Sequence, residues 1–88
     1  MATFNDILNN MYEVYERKNA DYGDSFSKTF EKFGMMSVAV RLYDKVERIS
    51  QISTNEPQVK EETEKDTLLD IANYAVMALV ELSKRENN

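Results

Sequence analysis

The sequence contains no cysteine and no histidine. Without thiols or imidazoles, the chain cannot form disulfides, zinc fingers, thiolate nucleophiles or Ser-His-Asp triads. Any metal ion would have to be held by oxygen atoms, which favours a hard cation such as Mg²⁺ or Mn²⁺. These absences restrict the chemistry of a site to carboxylates, hydroxyls, amides, lysine and arginine.

Basic residues are also scarce, because 11 Lys and Arg stand against 16 Asp and Glu and give a net charge of −5. This balance argues against a protein that binds the phosphate backbone of a nucleic-acid duplex. The sequence shows no signal peptide, no lipidation site and no apolar run of about 18 residues. We therefore expect a cytoplasmic protein without a membrane partner.

The length of 88 residues predicts a single domain over residues 1–88. A chain of this size buries only about 60 to 65% of the surface that its unfolded form exposes, so a monomer would be marginally stable. Association between copies would bury more apolar surface. We therefore expect a homo-oligomer, either a dimer or a tetramer.

Helical spacing of apolar residues dominates the first half of the chain. Residues 4 to 18 have the pattern of an amphipathic helix, with Thr3 as N-cap and Asp6 three residues later. A loop is expected over residues 18–25, followed by a short helix that Gly34 ends. The phenylalanines of this short helix, at spacings of four and three, are expected to be core residues: Phe26, Phe30 and Phe33.

The second half predicts two long helices that pack as a hairpin. One runs from Met35 to about Ser53, and the other runs from about Val59 to Arg85. The segment that ends at Pro57, the only proline, predicts a loop of roughly six to nine residues between them. The apolar stripe expected on the first of these helices comprises Met35, Val38, Ala39, Leu42, Val46, Ile49 and Ile52. The fold class is thus all-α, an antiparallel bundle of three to four helices that oligomerisation completes.

Asp70 is unusual because it lies in the stretch 68–82, which is otherwise almost entirely apolar. A helix with apolar residues on every side is expected to be surrounded by protein, and a carboxylate buried there needs a partner. Asp66 and Glu62 precede Asp70 at spacings of four, which places all three acids on one face of the helix. Acids of the preceding helix, Asp44 and Glu47, would face this column.

Two interpretations of the acid column remain open. Oxygen ligands from two helices can hold Mg²⁺ in a bundle, and the ion can then bind phosphates. Alternatively, cations on the same edge of the preceding helix neutralise the acids in structural ion pairs: Arg41, Lys45 and Arg48. The predicted loop at 18–25 offers a second candidate site, since a lysine, an amide and an aromatic ring there could bind phosphate and a base, although an ordinary turn explains the same residues.

Three blocks of sequence then resemble a known family. They are Lys18-Asn-Ala-Asp-Tyr-Gly-Asp24, Arg41-Leu-Tyr-Asp-Lys45, and Asp66-Thr-Leu-Leu-Asp-Ile-Ala-Asn-Tyr74, with Arg48 and Glu62 between the last two. The chain resembles the nucleotide modification associated domain family, which is found often in phages and prophages. That family is similar to the all-α nucleoside triphosphate pyrophosphohydrolases of the MazG type, which bind Mg²⁺ through acids on two helices.

The resemblance implies a MazG-like bundle, a phage or prophage origin, and cleavage of a nucleotide between its α and β phosphates. It implies metal ligands at Asp44, Glu47, Asp66 and Asp70, with Glu62 as catalytic base or further ligand. It implies substrate binding by Lys18, Asn19, Asp21, Tyr22, Lys45, Arg48 and Asn73. The sequence departs from the MazG pattern at Thr67, where an acid is expected three residues before Asp70. A non-catalytic helical interaction module is the alternative function.

Overall fold

The computed structural model describes the backbone of residues 1–22, 24–52 and 57–86 and the side chains of residues 1–19, 24–52 and 63–86. These residues form four helices and no strand, which confirms the all-α class. The helices are α1 (Phe4–Tyr22), α2 (Ser25–Phe33), α3 (Met35–Ile52) and α4 (Pro57–Glu86). None of the helices is long and apolar enough, over the part of the chain described, to cross a membrane.

The start of α1 was predicted correctly, and its end was not. The Thr3 N–H donates to Asp6 Oδ2 at 2.9 Å, and the Asp6 N–H donates to Thr3 Oγ1 at 3.1 Å, which is a reciprocal capping box. The helix continues to Tyr22, so Lys18 and Asn19 belong to α1 and not to a loop. Residues 18–22 contain no proline or glycine to stop the helix, and the contact of Lys18 with α4 holds this last part in place.

The turn between α2 and α3 depends on Gly34. This residue has a φ of 66° and a ψ of −151°, a backbone conformation that residues with a Cβ rarely adopt. Its N–H donates to the Phe30 carbonyl at 2.7 Å and so satisfies a carbonyl of the last turn of α2. Gly34 therefore ends α2 as predicted. At the other end of α2, Asp24 occupies the N-cap position, but its side chain makes no capping hydrogen bond.

The α4 helix begins at Pro57, two residues earlier than predicted. Proline suits the first position of a helix, because its fixed φ is helical and its missing N–H would have no partner there. Because α3 ends at Ile52, the residues at which a loop was predicted include 53–56, and these four lie outside the described residues.

The core lies where α2 and α3 pack against α4. Its buried residues are Phe26, Phe30, Val38 and Ala78, and partly buried side chains pack around them: Leu42, Tyr74, Met77 and Leu82. Four residues predicted to be in the core or in the apolar stripe are instead exposed, namely Phe33, Met35, Ala39 and Val46. Each lies at the edge of the apolar stripe of its own helix, where the described residues of the other helices leave it in solvent.

The expectation that protein surrounds α4 on every side is not met within one chain. Leu68 and Leu79 are 57% and 64% exposed. We call these two residues the apolar face of α4. On the opposite side of the helix Thr67 is 2% exposed and donates its hydroxyl to the Thr63 carbonyl at 2.7 Å. The helix thus has one covered side and one apolar side that faces away from the other helices.

Candidate functional site

Asp70 lies between two lysines that come from different helices. Lys45 of α3 places its Nζ 3.0 Å from Asp70 Oδ2, and Lys18 of α1 donates to Asp70 Oδ1. The Asp70 side chain is 14% exposed, against 25% for Lys45 and 50% for Lys18. The carboxylate is therefore the most enclosed group of the three, and each of its oxygens has a cationic partner.

The helix directions explain why these three residues meet. Contacts between Lys45 and Asp70 and between Arg41 and Tyr74 show that α3 runs antiparallel to α4. The Asn73 side-chain amide donates to the Met11 carbonyl at 3.2 Å, and Lys18 reaches Asp70, so α1 also runs antiparallel to α4. The side of α4 that carries Asp70 thus lies in a channel between two helices, each of which supplies a lysine.

The electrostatics of Asp70 combine two opposing effects. Burial raises the pKa of the carboxyl group, but hydrogen bonds from Lys18 and Lys45, together with the charges of both lysines, lower the pKa below its ordinary value overall. Asp70 is therefore ionised at neutral pH. The two lysines around it form a pair of strong donors whose common acceptor is a single carboxylate.

Arg41 has a different role from the one that the ion-pair interpretation gave it. Its guanidinium carbon lies 5.2 Å from the ring centre of Phe26 and 5.7 Å from that of Tyr74. The two rings are themselves nearly parallel, with centres 6.1 Å apart. Lys45 also lies over Tyr74, at 6.0 Å. Arg41 and Lys45 are thus held against aromatic surface, where cation–π attraction helps to fix their position.

Asp70, its two lysines, Arg41 and Tyr74 line a cavity of about 310 Å³, which we call the lysine cavity. Its lining residues are Tyr15, Lys18, Asn19, Ser25, Arg41, Lys45, Asp70, Asn73, Tyr74 and Met77. Four substrate residues implied by the resemblance, Lys18, Asn19, Lys45 and Asn73, therefore meet in one place. Tyr15 and Tyr74 were not predicted to belong to a site, although their helical spacing from Lys18 and Asp70 was a usable signal.

A second cavity of about 600 Å³ adjoins the first and shares Lys18, Lys45 and Asp70 with it. Arg17, Arg48 and Asp66 also line it, so Asp66 and Arg48 lie near Asp70 as expected. Asp44 and Glu47 are exposed and line a separate groove on α3, to which neither Asp66 nor Asp70 contributes. Within the described residues, no group of three acids could hold a metal ion.

Three candidate residues have side chains outside the described ranges. Glu62 belongs to the first turns of α4, and Asp21 and Tyr22 belong to the last turn of α1. The backbone thus corrects the predicted loop position of Asp21 and Tyr22. The roles of all three side chains stay predictions.

Comparison with known proteins connects this site to a family. The model of the family described as nucleotide modification associated domain 1 matches residues 18–82. The match begins at Lys18 and includes Lys45 and Asp70, so it contains the whole of the ion-paired centre. No curated protein and no solved structure matches the chain.

Proposed function

The chain belongs to the nucleotide modification associated domain 1 family, which suggests a link to nucleotide metabolism, and on this premise we propose that it binds a nucleoside triphosphate together with Mg²⁺. We propose further that it is a pyrophosphohydrolase, which releases pyrophosphate and a nucleoside monophosphate. The phosphates would lie in the lysine cavity and the cavity that adjoins it.

The observation that carries the proposal is the concentration of cations around one carboxylate. Lys18 and Lys45 meet at Asp70, and Arg17 and Arg48 line the adjoining cavity. The chain as a whole has a net charge of −5, so this is not a generally basic surface. Lysine ammonium groups bind phosphate as point charges, and a triphosphate supplies more acceptor oxygens than one carboxylate. When the nucleotide enters, the lysines would therefore break their hydrogen bonds to Asp70 and donate to phosphate oxygens instead.

The acids of this site are too few to hold Mg²⁺ by themselves. They fit a Mg²⁺ ion that enters bound to the phosphates of a nucleotide. Mg²⁺ in such sites is bound through one or two carboxylates and the substrate's phosphates. Asp66 and Asp70, one helical turn apart on α4, supply two carboxylates, and releasing the lysines to phosphate frees Asp70 for the ion. When bound, Mg²⁺ would polarise the phosphate and lower the pKa of water. Glu62 stays our candidate for the base, with Asp44 and Glu47 as further acids.

A homo-oligomer accompanies this function. The apolar face of α4 leaves large side chains in solvent, and surfaces of this kind mark association sites when they are contiguous. We propose that this face packs against a second copy of the chain, which would cover α4 on the side that its own helices leave open.

A second candidate function is a non-catalytic interaction module. The specific observation in its favour is that both Asp70 oxygens already have lysine partners. In that case the ion pairs serve only to join α1 and α3 to α4, and no phosphate would displace Asp70.

The test is an assay of pyrophosphate release from a panel of ribo- and deoxyribonucleoside triphosphates with Mg²⁺. We expect release of pyrophosphate and not of single phosphates, and a loss of at least about a hundredfold in Asp70→Ala, because the variant loses a carboxylate that orients the metal-bound phosphates. Lys28→Gln, which changes an exposed lysine of α2, is the matched control and should leave turnover unchanged. Full activity in excess EDTA would contradict the mechanism.

A further inference from the structure

A mostly apolar groove adjoins the lysine cavity on its other side. It measures about 400 Å³, and we call it the apolar groove. Its apolar lining comes from α1, α2 and α4: Leu8, Met11, Tyr12, Phe26, Val76 and Val80. Tyr15, Asn19, Asn73 and Met77 line both spaces. Because each space has the size of a small-molecule pocket and the two share walls, one elongated ligand can occupy both.

One face of α4 follows the length of this combined space. Asp70, Asn73, Met77 and Glu81 succeed one another at spacings of three, four and four, which places them in a row. The rise from Asp70 to Glu81 is about 16 Å, at roughly 1.5 Å per residue. The row therefore has a charged end at the two lysines, an apolar middle, and a second carboxylate at the far end.

Glu81 is a well-placed hydrogen-bond acceptor at that far end. Its Oε1 accepts from the Ser27 hydroxyl at 3.0 Å and its Oε2 accepts from Lys84 at 2.9 Å, while its side chain is 11% exposed. The hydrogen bond from Lys84 is the main cause that lowers the pKa of Glu81, so the group is ionised at neutral pH. A carboxylate offers about four lone-pair sites, and two partners leave acceptor capacity for a ligand N–H.

We propose that the apolar groove binds the nucleobase of the triphosphate, and that Glu81 selects a base with an exocyclic amino group. The inference rests on the proposed function, because the lysine cavity must hold the phosphates. Tyr12 and Tyr15, whose ring centres are 6.4 Å apart, supply aromatic surface against which a base can stack. Glu81 accepts from an amino group but repels a carbonyl oxygen at the same position, so cytosine is favoured over uracil and adenine over hypoxanthine.

The experiment is a calorimetric titration with Mg²⁺ and α,β-methylene analogues of CTP, UTP, ATP and ITP, which resist cleavage at the proposed bond. In each pair an amino group replaces a carbonyl oxygen, and the ring nitrogen beside it changes from an N–H donor to an acceptor. We expect the wild type to favour the amino member of each pair by about ten- to a hundredfold, since a hydrogen bond to a charged group is lost in the other. Inorganic triphosphate, which has no base, probes the phosphate end alone.

Glu81→Gln keeps the shape of the side chain and should abolish the preference while leaving the affinity for inorganic triphosphate unchanged. Glu86→Gln, an exposed acid farther along α4, is the matched control and should keep the preference. Equal affinity of the wild type for CTP and UTP analogues, or a preference that survives in Glu81→Gln, would overturn this inference and leave the proposed function standing. Failure of every triphosphate to bind, inorganic triphosphate included, would overturn both.

Discussion

Replacing Asp70 with asparagine removes the charge that joins three helices and keeps the shape of the side chain. In the metal-free protein the change should destabilise the fold, because Lys18 and Lys45 lose their common partner. Lys18 is half-exposed, so its pair contributes up to about 1 kcal/mol. Lys45 is more enclosed, and its hydrogen bond to a charged group contributes roughly 1.5 to 2 kcal/mol.

The free energy of unfolding should therefore fall by about 1 to 3 kcal/mol. This is less than the cost of leaving a fully buried cation unpaired, since water can hydrate both lysines in the variant. For a domain of this size the change corresponds to a midpoint about 5 to 20 °C lower. Thermal unfolding followed by far-UV circular dichroism in EDTA measures it. Asp66→Asn, one turn earlier and exposed, is the control and should stay within about 0.5 kcal/mol of wild type.

The opposite sign would refute this reasoning. If Asp70 mainly suffers repulsion from other acids in the absence of metal, Asp70→Asn should unfold at a higher temperature than wild type.

Addition of a ligand then distinguishes the two candidate functions. Mg²⁺ with a triphosphate analogue at about 100 times its dissociation constant should stabilise wild type by roughly 2.7 kcal/mol. An interaction module would show no such response.

Three further predictions concern stability and assembly. The free energy of unfolding measured by urea titration should fall as the pH drops below roughly 4.5. The pKa values of Asp70, Asp6 and Glu81 are lower in the folded state than in the unfolded state, so the unfolded chain binds more protons in acid. Constant stability down to pH 3 would contradict this. Gly34→Ala should cost about 1 to 3 kcal/mol in the same assay, since a Cβ meets no atom there and the strain comes from the backbone alone; an unchanged midpoint would show that the turn relaxes freely. Leu79→Glu should lower the mass measured by light scattering, because it places a charge on the apolar face of α4, and an unaltered mass would mean that copies associate elsewhere.

The sequence located the central residue of the site and named one of its two partners, Lys45, as one of three candidates. Asp70 was recognisable because a carboxylate within an apolar helix needs a counter-charge, and the structure shows two. Spacing also showed that Lys45 lies on the edge of α3 that faces α4, together with Arg41 and Arg48. Periodicity identifies the residues that share a face, but it does not say which of them reaches a given carboxylate, and Arg41 instead lies over aromatic rings.

Lys18 shows the other limit of sequence reasoning. Asn19, Asp21 and Gly23 are frequent in turns, so the end of α1 was predicted too early, and Lys18 was assigned to a loop. Local propensity was overruled by a contact 52 residues away, the hydrogen bond to Asp70. Glu81 was visible only as an interruption of the apolar stretch, because its bond to Ser27 depends on how α2 lies against α4.

The most direct test of the account is the binding of a single ligand to the lysine cavity. Calorimetric titration of an α,β-methylene nucleoside triphosphate with Mg²⁺ should show saturable binding to wild type. The affinity should fall at least about tenfold in Lys45→Gln, because one charged hydrogen bond to phosphate is lost, and stay unchanged in Lys28→Gln. Absence of binding to wild type, or equal affinity in wild type and Lys45→Gln, would contradict the claim that this cavity holds the phosphates.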